Sequence, residues 1–542
     1  MKYLKYISPA ILLFFMSCTK GYLDVNTDPN NPTEMAEAKL LPNAQKALAD
    51  YLGFGLNGSG GFSYILSVYT HQITMREYPD KYGTEGVNLN TAWTAIYTDA
   101  IRNCEEIIKN AEEPGNTLYS GIAKILKAYA YSQLVDVFGD IPFSESNDYQ
   151  GGAGFGAPAF DQGKDIYPQL FALLDEGIAD LNNTTAANPN KPGSDDLIYG
   201  GKAASWINAA NTIKLKLYNQ ARLVQDVSGP VNELLSGGKL IGSTAASFAF
   251  PYGTASSPDE RSPFFADYFA TQRSINISPW FYEIMKGYNM KDVNGMTKDF
   301  NVFSGIKDPR VPYYFFNQLE PDEENVEGNQ IEYRDGGFSS IVFGSTGPNR
   351  DKSHDKSTTV MGIYPAGGRY DDGEGSGGKG VTAGSGTGAA PFRMLTYADR
   401  LFIEAELIQA GVVPGGAAAA KTKLKAALTQ AIAQVDYVVA KAGTVNQTVP
   451  KLAGTDEAND FIDAVVNLFE NSSADKQMEI IMTQKWISNF GGNAVDCYND
   501  YRRTKYPMIF DPNNAEMAPD HFFKPPVNGN IELDEAPLIP VI

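Results

Sequence analysis

Residues 118–142 read LYSGIAKILKAYAYSQLVDVFGDIP. Leu118, Ile122, Ile125, Tyr129 and Val137 keep helical spacing, so the segment presents one apolar stripe to bury. It stops at Gly139-Asp140-Ile141-Pro142, where glycine ends a helix and proline fixes the exit. Upstream, Pro114-Gly115 breaks the chain in the same way. Downstream, Ile166, Leu170, Leu173, Leu174, Ile178 and Leu181 repeat the periodic pattern. Helices of this kind bury their stripes on one another, and helical texture runs from Ala36 to about Leu223. The fold expected is mainly α: a tetratricopeptide-like stack of helix pairs, without the strict period of about 34 residues of the regular repeat.

From about Val227 to Pro391 the texture changes to Gly, Pro, Ser and aromatic residues with few sustained periods. A loop-rich stretch this long is unusual inside a compact domain unless it is functional or disordered. Helices resume at Thr396, where Thr396 and Asp399 have capping-box spacing ahead of Leu401, Ala405 and Ile408. The next clear helix carries Met478, Met482, Trp486 and Phe490 at intervals of four and stops at Gly491-Gly492.

The chain opens with Lys2 and Lys5, an apolar run from Ile7 to Met16, and Ser17 directly before Cys18. That is the order of an export signal, and the run is too short to span a membrane, which takes about 20 residues. The residues LFFMSC at 13–18 resemble the lipobox of bacterial lipoproteins, which implies lipidation of Cys18 and a lipid anchor at the mature N-terminus. The reading divides the chain into a signal peptide (1–17), a tether rich in Asn, Asp and Pro (18–35), a helical half (36–226), a loop-rich insertion that binds ligand (227–390), and a second helical half with a tail (391–542), all one intertwined unit.

With 64 acidic and 44 basic residues the chain carries a formal charge of −20, which argues against nucleic acid, since phosphate recognition draws on clustered Lys and Arg. The three histidines, His71, His354 and His521, are far apart and offer neither a zinc site nor a Ser-His-Asp arrangement. Cys104 and Cys497 lie in helix-like sequence and read as two buried free thiols.

Six stretches carry a family resemblance: LDVNTDPNNPT at 23–33, YSQLVDVFGDIPFSE at 131–145, WINAANTIKLKLYNQAR at 206–222, DPRVPYYF at 308–315, YADRLFIEAEL at 397–407 and QKWISNFGGNAVDCYNDYRRTKYP at 484–507. In this order they resemble the SusD/RagB family of Bacteroidetes outer-membrane nutrient-binding lipoproteins, closest to the branch called SusD-like 2. The resemblance implies a lipid-anchored protein on the cell's outer membrane with tetratricopeptide-like helices. It also implies an oligosaccharide ligand, a SusC-like TonB-dependent transporter as partner, no catalysis and no cofactor. Phe138 to Pro142 and Arg502-Arg503 then read as scaffold, with arginine bridging carboxylates of neighbouring helices.

Sugar binding needs flat apolar faces for C–H groups and polar side chains at the rim for hydroxyls. Two stretches offer that mix: Arg76, Tyr78 and Tyr82 with Asn88, and Trp280 and Tyr282 with Tyr288 and Asn289. Tyr364 and Tyr370 form a third candidate beside the glycine loop GEGSGGKG at 373–380. That loop formally matches a phosphate-binding pattern but lacks the Ser or Thr after lysine, and reads as a flexible loop that closes over ligand. Asp371, Asp372 and Glu374 offer oxygen ligands for calcium or a carboxylate pair for glycoside hydrolysis, against the commoner outcome of a solvated acidic loop. Trp93, Trp206 and Trp486 sit at core-like helical positions, whereas for Trp280 core packing and ligand contact weigh equally. The alternatives to a glycan binder are a surface hydrolase and a peptide-binding or structural surface protein.

Overall fold

A computed structural model describes residues 35–56, 60–75, 89–146, 158–270, 275–288, 290–291, 297–298, 301–325, 331–341 and 355–508. The fold is mainly helical. In the first half come α1 (Glu37–Leu52), α2 (Phe62–Tyr69) and α3 (Asn90–Ala95), which continues through a π-helical stretch (Ile96–Ile101) into α4 (Arg102–Glu112). Then follow α5 (Thr117–Phe138), α6 (Gly163–Asn182) and α7 (Ala203–Ala221).

α5 and α6 form the antiparallel pair that the opening stretch implies. A Cβ on Gly121 would stand 2.8 Å from the Gly177 carbonyl, and one on Gly177 would stand 3.0 Å from that of Gly121, so glycines let the two backbones touch. At the other end Gly163 lies against Val135 and the carbonyl of Gly139. Gly139, at φ +77, ends α5 as the sequence suggests, and its amide donates to the Val135 carbonyl at 2.8 Å.

In the second half, α13 (Tyr397–Gln409) opens on the expected capping box, with Thr396 Oγ1 accepting from the Asp399 amide and Asp399 Oδ2 accepting from the Thr396 amide. α14 (Gly416–Ala442) and α15 (Asp456–Glu470) follow and were not marked by the sequence pattern. The Ala-rich start of α14 carries too little hydrophobic contrast to show a period. α16 (Ala474–Ser488) carries Met482 and Trp486 inward, and α17 (Ala494–Thr504) closes the described chain. Phe490 is buried too, but just beyond the end of α16.

The loop-rich insertion proves more ordered than its texture suggests. It holds α8 (Ser228–Gly237), α9 (Pro263–Ala270), α10 (Pro279–Lys286), α11 (Val311–Tyr314) and α12 (Ile363–Ala366). Five two-stranded antiparallel ladders tie it down among the described residues: β1 (Ile73–Met75) with β3 (Ile275–Ile277), β2 (Phe248–Phe250) with β10 (Phe392–Leu395), β4 (Met290–Lys291) with β5 (Thr297–Lys298), β6 (Phe315–Phe316) with β9 (Val360–Met361), and β7 (Tyr333–Asp335) with β8 (Phe338–Ser340). Strands of two to four residues are too short to display a period-two pattern, which is why they read as loop.

A single hydrophobic cluster runs from Leu40 to Tyr501 through both helical halves and the insertion. Trp206 and Trp486 are fully buried in it and Trp93 packs partly against it. Cys104 and Cys497 are both buried and free. The arginine pair acts as the expected cross-helix clamp. Arg503 on α17 makes two hydrogen bonds to Glu406 of α13, at 2.8 and 2.9 Å, while Arg222 after α7 lies 3.0 Å from the same carboxylate. Arg502 donates to the Asp136 carbonyl of α5. Residues of α13 and α17 and the residue after α7 thus meet on one buried acid.

Candidate functional site

α10 carries the second aromatic stretch. Pro279 starts it with a preset φ, and Gly287 at φ +70 ends it. Any side chain at 287 would meet Ile306, whose carbonyl oxygen lies 2.5 Å from the would-be Cβ. The helix is so short that most of it is core. Trp280 is 1% exposed and Tyr282 3%, so of the two readings left open for Trp280 the structure shows core packing, and the Tyr282 candidate is packed in the same way. The ring of Tyr282 is stacked on Phe338 at 3.7 Å, and neighbouring Phe281 meets Trp486 edge-on at 4.8 Å.

Only beyond Gly287 does an aromatic face reach solvent. Tyr288 is 37% exposed, and its hydroxyl donates to Asp335 Oδ2 at 3.1 Å. The hydroxyl of Tyr282 donates to the same oxygen at 2.7 Å. Lys286 Nζ lies 3.8 Å from that oxygen and over both tyrosine rings, at 5.4 and 5.5 Å. Behind the group, Glu283 is buried and accepts from the Tyr333 hydroxyl. Burial, assisted by the nearby charge of Asp335, pushes the Glu283 carboxyl up to about 8, so it holds a proton at neutral pH.

The third stretch separates into a buried and an open member. Tyr364 is fully buried, stacked on Tyr314 at 4.6 Å and capped by the Arg393 guanidinium at 4.4 Å. Its hydroxyl donates to the Ser488 carbonyl and accepts from Gln434, so it is a core pillar and not a ligand contact in this conformation. Tyr370 is half-buried against Tyr313, centroids 4.9 Å apart. The Gln447 side-chain amide clamps the Tyr370 backbone, accepting from its N–H at 3.1 Å and donating to its carbonyl at 2.9 Å.

Asp371 accepts from the Asn317 amide at 2.7 Å, and burial pushes its carboxyl up to about 6, with Asp372 adding to the rise. The glycine loop beside it is laid along residues 317–320 rather than standing free. The Ser376 amide donates to the Gln318 carbonyl and the Val381 amide to Gln318 Oε1. Gly375, at φ +61, sits where a Cβ would come within 2.9 Å of that carbonyl. Among the described residues no group of three or more His, Cys, Asp or Glu is arranged to hold a metal ion.

Arg76, Tyr78, Tyr82 and Asn88 lie outside the described residues, as do Asn289 and Cys18. The ladder before the first stretch is described. Ile73 pairs with Ile277 and Met75 with Ile275, and the Ser278 amide donates to the Gln72 carbonyl, so β1 and the start of α10 share one anchor.

Sequence reasoning passed over Lys286, Asp335, Tyr333, Asn317 and Gln447. One signal was available: Asp335-Gly336-Gly337 between two short β-prone runs is a hairpin turn, and Gly336 takes φ +57 there. Such a turn places Tyr333 and Asp335 together at the end of a hairpin.

A family model described as "starch-binding associating with outer membrane" (SusD-like 2) matches residues 29–523. Comparison with curated proteins finds no match. Among solved structures, a SusD/RagB family protein from Bacteroides thetaiotaomicron is similar at 20% identity and a TM-score of 0.61, over 87% of this chain and 88% of that one. A SusD homolog from Bacteroides fragilis is similar at 20% identity and TM-score 0.58, over 87% of each chain. A chitin-binding SusD homolog from Flavobacterium johnsoniae is similar at 17% identity and TM-score 0.57, again over 87% of each. At these identities the likeness speaks to the fold.

Proposed function

The chain belongs to the SusD-like family, which is associated with the outer membrane, and from that premise we propose that it is a lipid-anchored, surface-exposed glycan-binding protein. In this reading Cys18 bears the lipid, and captured oligosaccharides pass to a SusC-like TonB-dependent transporter. The protein binds and does not cleave. No described helix is long and apolar enough to cross a membrane, so the reading places the membrane attachment in the N-terminal lipid.

The observation that carries the reading is the group at the end of α10. Tyr288 offers a solvent-facing ring, with Lys286 and Asp335 beside it as donor and acceptor for hydroxyls. Tyr370 and the four residues of the 76–88 stretch are retained as further contacts of the same ligand. The starch of the family description and the chitin named for the Flavobacterium homolog make α- and β-linked glucans and chitin fragments the first ligands to try.

The test is a glycan and peptide array probed with the chain lacking residues 1–18, followed by incubation with the glycan that binds. Retention of that glycan at full length supports a binding protein. Shortened products would instead favour a hydrolase built on Asp371 and Glu374, and affinity for peptides alone would favour the peptide-binding alternative.

A further inference from the structure

In the helical half, an open pocket of about 860 Å³ is lined by none of the residues discussed above as ligand contacts. Its volume lies within the range of about 300–1,000 Å³ usual for small-molecule sites. Phe171 of α6 and Tyr218 of α7 stack face to face, 15° from parallel with centroids 4.1 Å apart, so each covers one face of the other and the half-exposed pair offers the pocket its edges and one remaining face. Tyr167 forms the next part of the wall. Its hydroxyl lies 2.6 Å from Asp136 Oδ1 and 2.9 Å from Gln220 Oε1, which holds the ring in place. Pro168 extends the apolar surface, and Asp140, Lys164, Gln162 and Gln225 stand exposed around the mouth. At the lip the chain leaves an apolar side chain in water, Val224 at 87% exposure.

These are the elements that sugar recognition requires: an aromatic apolar surface within and polar groups of both charge signs at the rim. The rim pairs one acid with one base, so it favours neither anions nor cations. A flat partner surface would have no use for a hollow of this size. We propose that the pocket is a second glycan site, taking the neutral end of an oligosaccharide, separate from the Tyr288 group. The proposal rests on the reading of the chain as a glycan binder. Sequence inspection passed over Tyr167, Phe171 and Tyr218, which fall within helical stretches beside the apolar stripe.

The experiment is calorimetric titration of maltotriose, cellotriose and tri-N-acetylchitotriose into the chain lacking residues 1–18, with saturation-transfer NMR to detect weak binding. For the trisaccharide that binds, two equivalents per chain are expected. Phe171→Ala and Tyr218→Ala should weaken one of them at least tenfold while Tyr288→Ala affects only the other. Val224→Trp, at an almost fully exposed position, should close the mouth without disturbing the core and remove the same equivalent as Phe171→Ala. One equivalent lost with Tyr288→Ala alone, or two that Phe171→Ala and Val224→Trp leave intact, overturns the second site and leaves the proposed function standing. Failure of every trisaccharide to bind the parent overturns both.

Discussion

Trp486→Ala separates scaffold from site. The indole is 2% exposed, meets Phe281 edge-on at 4.8 Å, and its Nε1 donates to the Thr70 carbonyl at 3.1 Å. Truncating a buried Trp costs about 3 to 5 kcal/mol through lost transfer energy and the cavity left behind. The Thr70 carbonyl loses its indole donor as well, which adds about 1 kcal/mol. A total of roughly 4 to 6 kcal/mol lowers the folded-to-unfolded ratio by about three to four powers of ten.

Binding should nevertheless survive in the fraction that remains folded. The bond from Gln72 Nε2 to the Trp486 carbonyl uses the backbone and persists in the variant, so β1 stays attached to α16. The assay pairs guanidinium unfolding, followed by far-ultraviolet circular dichroism, with titration of the identified glycan well below the transition. Trp486→Ala should unfold at markedly lower denaturant and bind with unchanged affinity. A variant that unfolds with the parent yet binds more weakly would place the indole in the site and refute the reasoning.

Tyr288→Ala should weaken glycan binding by about tenfold, the effect of removing on the order of 1.4 kcal/mol of stacking, with little change in melting; Trp280→Ala should do the reverse, and calorimetry with thermal melting distinguishes them. Glu283, raised by burial from its ordinary 4.5 to about 8, binds more protons folded than unfolded, so parent stability should fall as pH rises from about 4.5 to about 8; melting temperatures of Glu283→Gln across that window should decline less steeply, with the remaining slope from groups such as Asp371 and Asp496. Burial alone would raise Glu406, but Arg503 and Arg222 overcome it and hold the carboxyl well below the ordinary carboxylate range. Glu406→Ala removes the acid that Arg222 and Arg503 share, leaving Arg503 with Asp500 and Arg222 with the Asn219 carbonyl, and should cost about 3 kcal/mol in denaturant unfolding. Cys18→Ala should move the protein from the membrane fraction to the soluble fraction in cells lacking a partner barrel, as read by immunoblot.

The helical frame was legible because its signals are local. The α5 stripe, the Gly139 stop, the Thr396 capping box and the inward face of α16 each depend on residues within a few positions of one another. Site residues depend on distant partners. Tyr288 meets Asp335 across 47 positions and Tyr364 meets Ser488 across 124. An aromatic beside polar residues looks the same in sequence whether its face is open or covered, and only the ring of Phe338 decides that Tyr282 is covered.

That division also explains why the site lies where it does. A stretch as aromatic as Trp280-Phe281-Tyr282 cannot stay in solvent, so α10 buries its first turns against Trp486, Phe490 and Phe338. Burial fixes the helix, and the position of its last turn follows from the packing of its first. At Gly287 the chain must reverse with φ +70 in space closed off by Ile306, a turn that only a residue without a side chain makes without strain. Tyr288 therefore emerges at one defined place, over Lys286 and against the β7–β8 hairpin that carries Asp335. The buried aromatics of α10 therefore belong to the scaffold and Tyr288 to the site, so loss of the former is read in stability and loss of the latter in affinity.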